Sequence, residues 1–288
     1  MVQAFTERYG PWAFVAGASM GIGAALSHEA ARRGLHVLML ARGAEALEDT
    51  AAAVRATHGV ETRTLVADLA DPDIAAIVES AVADLDIGLF VYNAAVAPAG
   101  RFLDVDRDVQ LLSVTVNCAT PVTLCHLMGR RMVARGRGGI GLVSSNAATQ
   151  GAVNFATYNA GKGFQWILAE SLWAELGDTG VDVTTILVGA TASPNYNSFM
   201  ATLDPELCGH PDTDDPLERA RARLLKPNPP EQVARALYDQ IGSGPVCYAD
   251  ADDEFVSRSS LAMPRVEAIG VWRSVMETST RTPDRQAR

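Results

Sequence analysis

Residues 12–26 read WAFVAGASMGIGAAL, and this stretch decides the predicted fold. A short apolar run ends at Gly17, and the residues from Gly21 onwards have the apolar spacing of a helix. Gly17, Gly21 and Gly23 form the spacing G-x-x-x-G-x-G. Glycines let a phosphate approach the backbone, and the free N–H groups and dipole of a helix N-terminus attract anions. The stretch therefore indicates a phosphate-binding turn, although glycines also form ordinary tight turns.

The alternation of apolar runs and helical segments continues along the chain. Further strands are predicted at residues 35–41, 61–69, 87–93, 138–145, 181–189 and 245–250. Helices are predicted at residues 21–34, 43–59, 71–85, 105–134, 157–177 and 229–244. Apolar strands that alternate with helices indicate a parallel sheet covered on both faces. We therefore predict an α/β fold with a doubly wound sheet of about seven strands, whose carboxyl ends bind the ligand.

One segment, residues 193–228, breaks this rhythm. It is rich in Pro, Asp and Arg and is too long for an ordinary connection, so we predict either a substrate lid or partial disorder. The sheet core is expected at about 10–250 and a C-terminal segment at about 255–288, in one domain that spans the chain. Asp71 followed by Pro72 predicts a helix start.

Composition disfavours several classes of protein. The chain of 288 residues has a formal net charge of −10, which disfavours nucleic acid as a partner. Its four cysteines form no C-x-x-C pair and have no histidine at metal spacing, which predicts free thiols and no metal site. The N-terminal residues do not resemble a signal peptide, and glycines interrupt the longest apolar stretch. We therefore expect a cytoplasmic protein without a membrane span.

The end of the second predicted strand indicates which dinucleotide binds. An acidic residue near this point usually binds the ribose 2′-hydroxyl, but here Ala41 and Arg42 occupy the region and Glu45 is already in a helix. Arginine can bind a 2′-phosphate through two N–H groups. The sequence therefore favours NADP(H) over NAD, although solvated surface arginines are common.

An ordered set of motifs resembles the short-chain dehydrogenase/reductase superfamily. After the three glycines, its members here are Asp68-Leu69, Asn93-Ala94-Ala95, Asn117, Ser145 and Tyr158-x-x-x-Lys162. The match covers about residues 12–189 and resumes at the helix of Pro230. This resemblance implies a single Rossmann-type sheet. The chain departs from the family pattern at Ala16 in place of Thr, at Ala95 in place of Gly, and at Val188 in place of Pro.

The resemblance implies four catalytic residues. Tyr158 would be the general acid–base, and Lys162, four residues later on the same helical face, would lower the pKa of its phenol. Ser145 would donate to the substrate oxygen, and Asn117 would link to Lys162 through its backbone or a water. Ser144 is the rival of Ser145, and the serine-to-tyrosine spacing favours Ser145. An ordinary half-exposed tyrosine and lysine pair is the alternative.

The resemblance also implies a cofactor site for NADP(H). Asp68 would contact the adenine, and Asn93 would support the backbone beside the cofactor. The full predicted set is Gly17, Ser19, Met20, Gly21, Ile22, Gly23, Arg42, Asp68, Leu69, Asn93, Ala94, Ala95, Tyr158, Lys162, Gly189 and Thr191.

Apolar residues flank the predicted catalytic set and suggest a hydrophobic substrate. The candidates are Val96, Ala147, Val153, Phe155, Tyr196 and Phe199. Each of them is as easily a plain core residue. The helices that carry Asn117 and Tyr158 are apolar on more than one face, so we expect a homodimer or homotetramer.

These patterns predict an NADP(H)-dependent oxidoreductase that interconverts a hydrophobic ketone and a secondary alcohol. The first alternative is a 3-oxoacyl-thioester reductase. Its acidic carrier protein could be attracted by the cluster of Arg130, Arg131, Arg135 and Arg137. The same arginines also suit a helix C-terminus. Alternatives from other classes are a non-catalytic NADP(H)-sensing regulator and a structural oligomerisation module.

Overall fold

The strands come first, because they place the site. The computed structural model describes residues 2–194, 196–197, 218, 222 and 226–279. Its strands are β1 (Trp12–Ala16), β2 (His36–Ala41), β3 (Thr62–Val66), β4 (Ile87–Tyr92), β5 (Gly138–Val143), β6 (Val181–Leu187) and β7 (Val246–Tyr248). Within these ranges they form one parallel sheet in the order β3-β2-β1-β4-β5-β6-β7. The predicted α/β fold with a doubly wound parallel sheet is confirmed.

Helices cover both faces of this sheet. They are α1 (Val2–Tyr9), α2 (Gly21–Arg32), α3 (Ala44–His58), α4 (Ile74–Ala81), α5 (Arg107–Val114), α6 (Thr120–Arg135), α7 (Ala156–Leu176), α8 (Pro230–Gln240), α9 (Ala251–Ala262) and α10 (Arg265–Ser279). A π-helical turn, Thr115–Ala119, joins α5 to α6, and a 3₁₀ turn, Asn146–Thr149, follows β5. The sequence pattern did not predict α1, α9 or α10.

The strand β1 is buried on both faces because one apolar core packs on each side of the sheet. All five residues of β1 are buried, and successive side chains point to opposite faces. Val15 belongs to one core cluster and Phe14 to the other, where its ring centroid lies 5.1 Å from that of Phe90. Burying one such side chain contributes about 1.5–3 kcal/mol. A run of apolar residues without polar alternation therefore fits a central strand.

The chain reverses its direction of winding between β1 and β4, and this switch opens a crevice at the carboxyl ends of the strands. The backbone N–H groups of Asn93 and Ala94, just after β4, both donate to the Ala16 carbonyl, at 3.0 and 3.1 Å. The Gly17 N–H donates to Leu40 O at 2.8 Å. The loops after β1, β2 and β4 are thus joined at one edge of the sheet.

Several helix boundaries differ from the prediction, and α4 and α8 each end four residues earlier than predicted, at Ala81 and Gln240. The helix α4 starts at Ile74, because the Asp71 carboxylate accepts from the Asp73 N–H at 2.8 Å and forms a turn first. The predicted start at Asp71 and Pro72 is therefore wrong. The long predicted helix at residues 105–134 is not uniform, because the π-helical turn interrupts it.

The predicted lid, residues 193–228, lies mostly outside the described residues. Its two ends meet at an isolated parallel bridge between Thr191 and Asn228. There the Asn228 N–H donates to Ala190 O at 2.8 Å, and the Ala192 N–H donates to Asn228 O at 2.9 Å. Residues 280–288 are also outside the described part. The predicted domain extents stay a prediction.

One helical stretch, Arg107–Arg135, is long and apolar enough to cross a membrane by length and composition alone. Of its apolar window, 44% is buried inside the fold, and the core helix of a globular protein passes the same test. The finding is weak evidence for a span.

Candidate active site

The glycine turn between β1 and α2 lies in the crevice between β1 and β4. Gly17 and Gly21 have φ values of +84° and +54°, which residues with a Cβ rarely adopt. A Cβ on Gly17 would stand 2.8 Å from the Ala94 nitrogen, in the loop after β4. Conformation and close approach therefore both require glycine at this position.

Gly23 packs the start of α2 onto the turn. A Cβ on Gly23 would lie 1.8 Å from the Gly17 oxygen, which accepts from Asn93 Nδ2 at 2.9 Å. Met20, the N-cap residue, makes no side-chain hydrogen bond to the helix, so N–H groups of the first turn remain available to an anion. This narrow cradle, which a Cβ would fill, fits the pyrophosphate of a dinucleotide.

The side chains around the turn have different roles. The Ser19 carbonyl accepts from the Thr50 hydroxyl at 2.9 Å, which joins the turn to α3. Met20 is 48% exposed, whereas Ile22 packs against the core. The backbone of Ile22 is thus in the turn, while its partly buried side chain packs against the core. Ala95 is exposed in the loop after β4.

The residues that follow β2 and β3 lie on the outer rim of the same sheet edge. Arg42 and Asp68 are both exposed, and the Asp68 carboxylate accepts from the Ala70 N–H at 2.9 Å. Leu69 is buried, and its carbonyl accepts from the Thr120 hydroxyl at 2.6 Å. Of these residues, Arg42 and Asp68 offer polar side chains to solvent or to a ligand.

The Tyr158 phenol and the Ser145 hydroxyl meet at the carboxyl end of β5. Tyr158 lies in the first turn of α7, and its hydrogen bond with Ser145 favours the phenolate. Ser145 Oγ also donates to Val188 O at 3.2 Å. The Ser144 hydroxyl is buried and instead donates to the Lys162 carbonyl at 2.7 Å. The two serines thus face different partners, and Ser145 is the one that meets the tyrosine.

Lys162 is buried beneath the tyrosine. Its Nζ donates to Val143 O at 2.6 Å and to Gln165 Oε1 at 3.1 Å, and it lies 5.9 Å from the centroid of the Tyr158 ring. Only 3% of the residue is exposed. Because burial disfavours the ammonium, it lowers the pKa of Lys162 to about 7.

The expected net lowering of the Tyr158 pKa is wrong in this arrangement. Burial raises the pKa of Tyr158, and the hydrogen bond with Ser145 only partly opposes this change. The physical reason is geometric, since the ammonium donates to Val143 and Gln165 rather than to the phenol oxygen. Desolvation therefore outweighs the distant charge.

Asn117 lies in the π-helical turn and anchors the loop after β4. Its side-chain oxygen accepts from the Val96 N–H at 2.9 Å, and its Nδ2 donates to Val96 O at 2.7 Å. Its backbone carbonyl accepts from Gln165 Nε2 at 3.0 Å. Asn117 is thus linked to Lys162 through Gln165, a residue that sequence analysis missed. A signal was present, because Gln165 is a polar residue three positions after Lys162 in an apolar helix.

Several predicted substrate residues lie near this centre. The Phe155 ring packs edge-on against Tyr158, with centroids 6.3 Å apart. The Ala147 N–H donates to the Ser145 hydroxyl at 3.1 Å, and Val153 is partly buried in the same connection. Tyr196 is partly buried, and its N–H donates to the Ser193 hydroxyl at 3.1 Å. Phe199 lies outside the described residues.

The loop after β6 is held by a residue that sequence analysis also missed. A Cβ on Gly189 would stand 2.1 Å from Asp253 Oδ1, so glycine permits a close approach of α9. Asp253 is fully buried, and it accepts from Asn228 Nδ2 at 2.8 Å and from Asn146 Nδ2 at 3.4 Å. Thr191, 7% exposed, donates to the Gly189 carbonyl at 3.2 Å. No motif pointed to Asp253, because its partners are far away in the sequence.

Two of the arginines at the end of α6 form hydrogen bonds and an ion pair within the protein. Arg131 donates to Val82 O and Leu85 O, both at 2.8 Å. Arg135 donates to Gly10 O and forms an ion pair with Asp86. Arg131 and Arg135 therefore fit the interpretation as structural residues at a helix C-terminus better than the interpretation as a free surface for a carrier protein.

The described part of the chain was also compared with the arrangements of side chains that bind metal ions. No group of three or more His, Cys, Asp or Glu residues is placed there to hold a metal ion. The described cysteines, Cys118, Cys125 and Cys247, are free thiols. Cys208 lies outside the described residues.

Comparisons with known proteins agree with this geometry. The family model for short chain dehydrogenases matches residues 11–203. The chain belongs to the short-chain dehydrogenase family. Membership confirms the resemblance stated above and makes the chain an oxidoreductase of CH–OH groups.

Three similar proteins place this short-chain dehydrogenase more closely. A 7beta-hydroxysteroid dehydrogenase of Collinsella aerofaciens is 33% identical over 192 residues, which is 67% of this chain and 73% of the relative. A 7beta-hydroxysteroid dehydrogenase structure matches with a TM-score of 0.81 and 28% identity, over 93% of this chain and 98% of that one. A candidate NAD(P)-dependent gluconate 5-dehydrogenase from Beutenbergia cavernae, with NADP bound at low occupancy, has a TM-score of 0.71 and 28% identity, over 84% and 96%.

Proposed function

We propose that this short-chain dehydrogenase uses NADP(H) to interconvert a bulky hydrophobic ketone and its secondary alcohol, with Tyr158 as the general acid–base. The observation that carries the proposal is the placement of the Tyr158 phenol near the Ser145 hydroxyl, with the Nζ of the buried Lys162 5.9 Å from the centroid of the Tyr158 ring. These groups lie at the same sheet edge as the glycine cradle. A proton donor and an anion site therefore share one crevice, as hydride transfer to a carbonyl requires.

The residues of this chain would move the proton in a defined way. A bound nicotinamide supplies or accepts the hydride at the substrate carbon. The Ser145 hydroxyl donates to the substrate oxygen and stabilises the charge that develops there. Tyr158 Oη gives its proton to that oxygen during reduction and takes it back during oxidation. The Lys162 ammonium stabilises the phenolate that remains.

NADP(H) is the proposed cofactor because of charge at the rim. Arg42 is exposed just after β2 and suits a 2′-phosphate, and no ion pair holds it among the described residues. The glycine cradle would bind the pyrophosphate, and Asp68 would face the adenine. The NADP bound by the Beutenbergia cavernae relative supports the same choice.

A bulky apolar substrate is proposed from the relatives and from the lining. Two of the similar proteins are named as hydroxysteroid dehydrogenases. Phe155 and Val153 would supply an apolar wall beside Tyr158, and Tyr196 would approach from the segment after β6. A rigid polycyclic alcohol, such as a hydroxysteroid, is the substrate class that we propose to test first.

The proposed assembly is a cytoplasmic homodimer or homotetramer. Large apolar side chains are exposed on α6 and α7, which pack on the same side of the sheet. They are Val122, Val133, Phe164, Ile167 and Trp173. A second copy of the chain would cover this surface and remove it from water.

The test is a screen of secondary alcohols and ketones with NADPH, NADH and their oxidised forms, followed by nicotinamide absorbance. We expect hydroxysteroids and bulky ketones to be turned over with NADP(H), and the variant Tyr158→Phe to lose most of this turnover. A 3-oxoacyl thioester belongs in the same screen. Preference for that thioester would favour the first alternative, and undiminished turnover by Tyr158→Phe would refute the proposed acid–base role.

A further inference from the structure

Gln165 lies between Lys162 and Asn117, two predicted catalytic residues, and forms a hydrogen bond with each of them. It is fully buried in α7, with 0% exposure. Its Oε1 accepts from Lys162 Nζ at 3.1 Å, and its Nε2 donates to the Asn117 carbonyl at 3.0 Å. One side chain thus joins the helix that carries the lysine to the π-helical turn that carries Asn117.

The Asn117 carbonyl is available because of the chain around it. In a regular α-helix it would accept from the residue four positions later, which is Pro121 and has no N–H. The π-helical turn, Thr115–Ala119, widens the helix at this point. Gln165 gives this buried acceptor a partner from another element.

The amide of Gln165 can satisfy both neighbours in only one orientation. The ammonium of Lys162 has only donors, and the Asn117 carbonyl is an acceptor. The amide oxygen must therefore face the lysine and the amide nitrogen must face the carbonyl. With a second donation to Val143 O, two of the three N–H groups of Lys162 are held, and the third is left for the ribose or the phenol.

We propose that Gln165 is a positioning residue that holds the Lys162 ammonium between β5 and the π-helical turn and keeps it charged for Tyr158. This inference rests on the proposed function. The uncharged amide oxygen of Gln165 stabilises the buried ammonium through one hydrogen bond. A carboxylate at this place would form an ion pair with the ammonium and compete with the Tyr158 phenolate.

The charge on Lys162 is sensitive to small changes. Burial lowers its pKa to about 7, so changes in its partners alter the charged fraction at neutral pH. The titratable groups that face it are Tyr158 on its own helix and Cys118 on the π-helical turn. From β5 it meets only the Val143 carbonyl. Loss of the Gln165 oxygen should lower the lysine pKa further, and a carboxylate at the same place should raise it.

The composition of the chain makes a direct test possible. The protein has only two lysines, Lys162 and Lys226, so a sample labelled in the lysine side chains gives two signals by NMR. The variant Lys226→Arg assigns them. We would follow the Lys162 signal against pH in the wild type, Gln165→Leu and Gln165→Glu. This measurement needs neither cofactor nor substrate.

A matched control is available in another helix. Gln240 in α8 also donates through Nε2 to backbone carbonyls, those of Ala236 and Tyr248, at 3.1 and 3.2 Å. Gln240→Leu removes an equivalent amide from a site without a catalytic group. It should leave the midpoint of Lys162 unchanged.

We expect the midpoint of Lys162 to move down by about one pH unit in Gln165→Leu and up in Gln165→Glu. With a substrate from the screen, Gln165→Leu should lower kcat about 10- to 100-fold, with little change in KM. If Gln165→Leu does not fold, the titration midpoint of Lys162 in Gln165→Glu still tests the inference, because we expect it to move up. Equal midpoints in the wild type and the folded variants would overturn the inference, whereas failure of every substrate in the wild type would overturn the proposed function instead.

Discussion

The centre and the rim of the proposed site differ in how their charges are held. At the centre, the Lys162 ammonium is 3% exposed and has two hydrogen-bond acceptors at fixed distances. At the rim, Arg42 is exposed, and no ion pair holds it among the described residues. Charges in the dry interior interact strongly, whereas exposed charges are screened by water and salt. In the proposed function, proton transfer therefore depends on strongly interacting buried groups, whereas the choice of cofactor depends on an exposed arginine whose substitution disturbs few contacts.

The largest effect should come from the centre. Tyr158→Phe removes the proposed proton donor but keeps the ring that packs on Phe155. Turnover should fall about 10²- to 10⁴-fold, which is the usual contribution of a general acid–base, while NADPH affinity stays the same. Steady-state kinetics and a fluorescence titration measure the two quantities. Equal losses in turnover and affinity would mean that the phenol serves binding rather than proton transfer.

A second effect at the centre concerns stability and pH. The pKa of Lys162 is lowered from 10.5 to about 7 on folding, so the unfolded chain binds more protons between these values. The free energy of unfolding should therefore rise with pH in this window, by at most about 1.4 kcal/mol per unit from this residue. Lys162→Met should lack that rise. Urea unfolding at several pH values compares the two slopes, and parallel slopes would contradict the lowered pKa of the buried lysine.

At the rim the effect should be smaller and selective. Arg42→Ala should raise the KM for NADPH about tenfold and leave the KM for NADH nearly unchanged, since an exposed contact to a phosphate contributes modestly. Arg55→Ala is the control, because Arg55 is an exposed arginine of the neighbouring α3 that is paired with Glu48. An equal rise for both cofactors would remove the assignment of Arg42 to the 2′-phosphate.

The smallest effect is expected at the end of α6. Arg130 is exposed, so Arg130→Ala should leave turnover of a ketone within about twofold of the wild type. Arg131→Ala should instead lower the free energy of unfolding by about 1–2 kcal/mol, because it removes the donor to Leu85 O and leaves Val82 O with only the Leu85 N–H. A large loss of activity with acyl thioesters in Arg130→Ala would favour the thioester alternative.

The parts of the fold that follow apolar periodicity were predictable from the sequence. The strand β1, for example, is a run of five buried residues, and its limits agree with the pattern. The residues of the glycine turn were also predictable, because φ values of +84° and +54° leave few choices besides glycine.

The missed parts are stabilised by contacts between distant residues. The buried side of α9 is mostly polar, since Asp253, Ser257 and Ser260 are buried there and Val256 is the apolar residue beside them. Asp253 finds Asn228 and Asn146 as partners only in the folded chain. The helix α1 is short and is anchored by Arg8 and Tyr9 on Asp182 of β6. Periodicity within one segment contains no signal for such pairs.

The centre of the proposed site was predicted only in part for the same reason. The motif Tyr-x-x-x-Lys placed Tyr158 and Lys162 on one helical face, and the structure brings Ser145 to them. The lysine contacts with Val143 and Gln165 depend on how α7 packs on β5 and on the π-helical turn. That packing also decides the direction of both pKa changes, which the motif alone predicted wrongly for the tyrosine.

The bridge between Thr191 and Asn228 has an evolutionary consequence. The chain leaves the sheet edge at one of these residues and returns at the other, and the buried Asp253 fixes the return point. A connection whose ends are clamped together can gain or lose residues at little entropic cost, about 0.6 kcal/mol for each doubling of length. Descendants of this gene could thus exchange the intervening stretch, which is the predicted substrate lid, for another one. The residues of the proposed active site in the sheet core would stay unchanged, and the range of substrates could change.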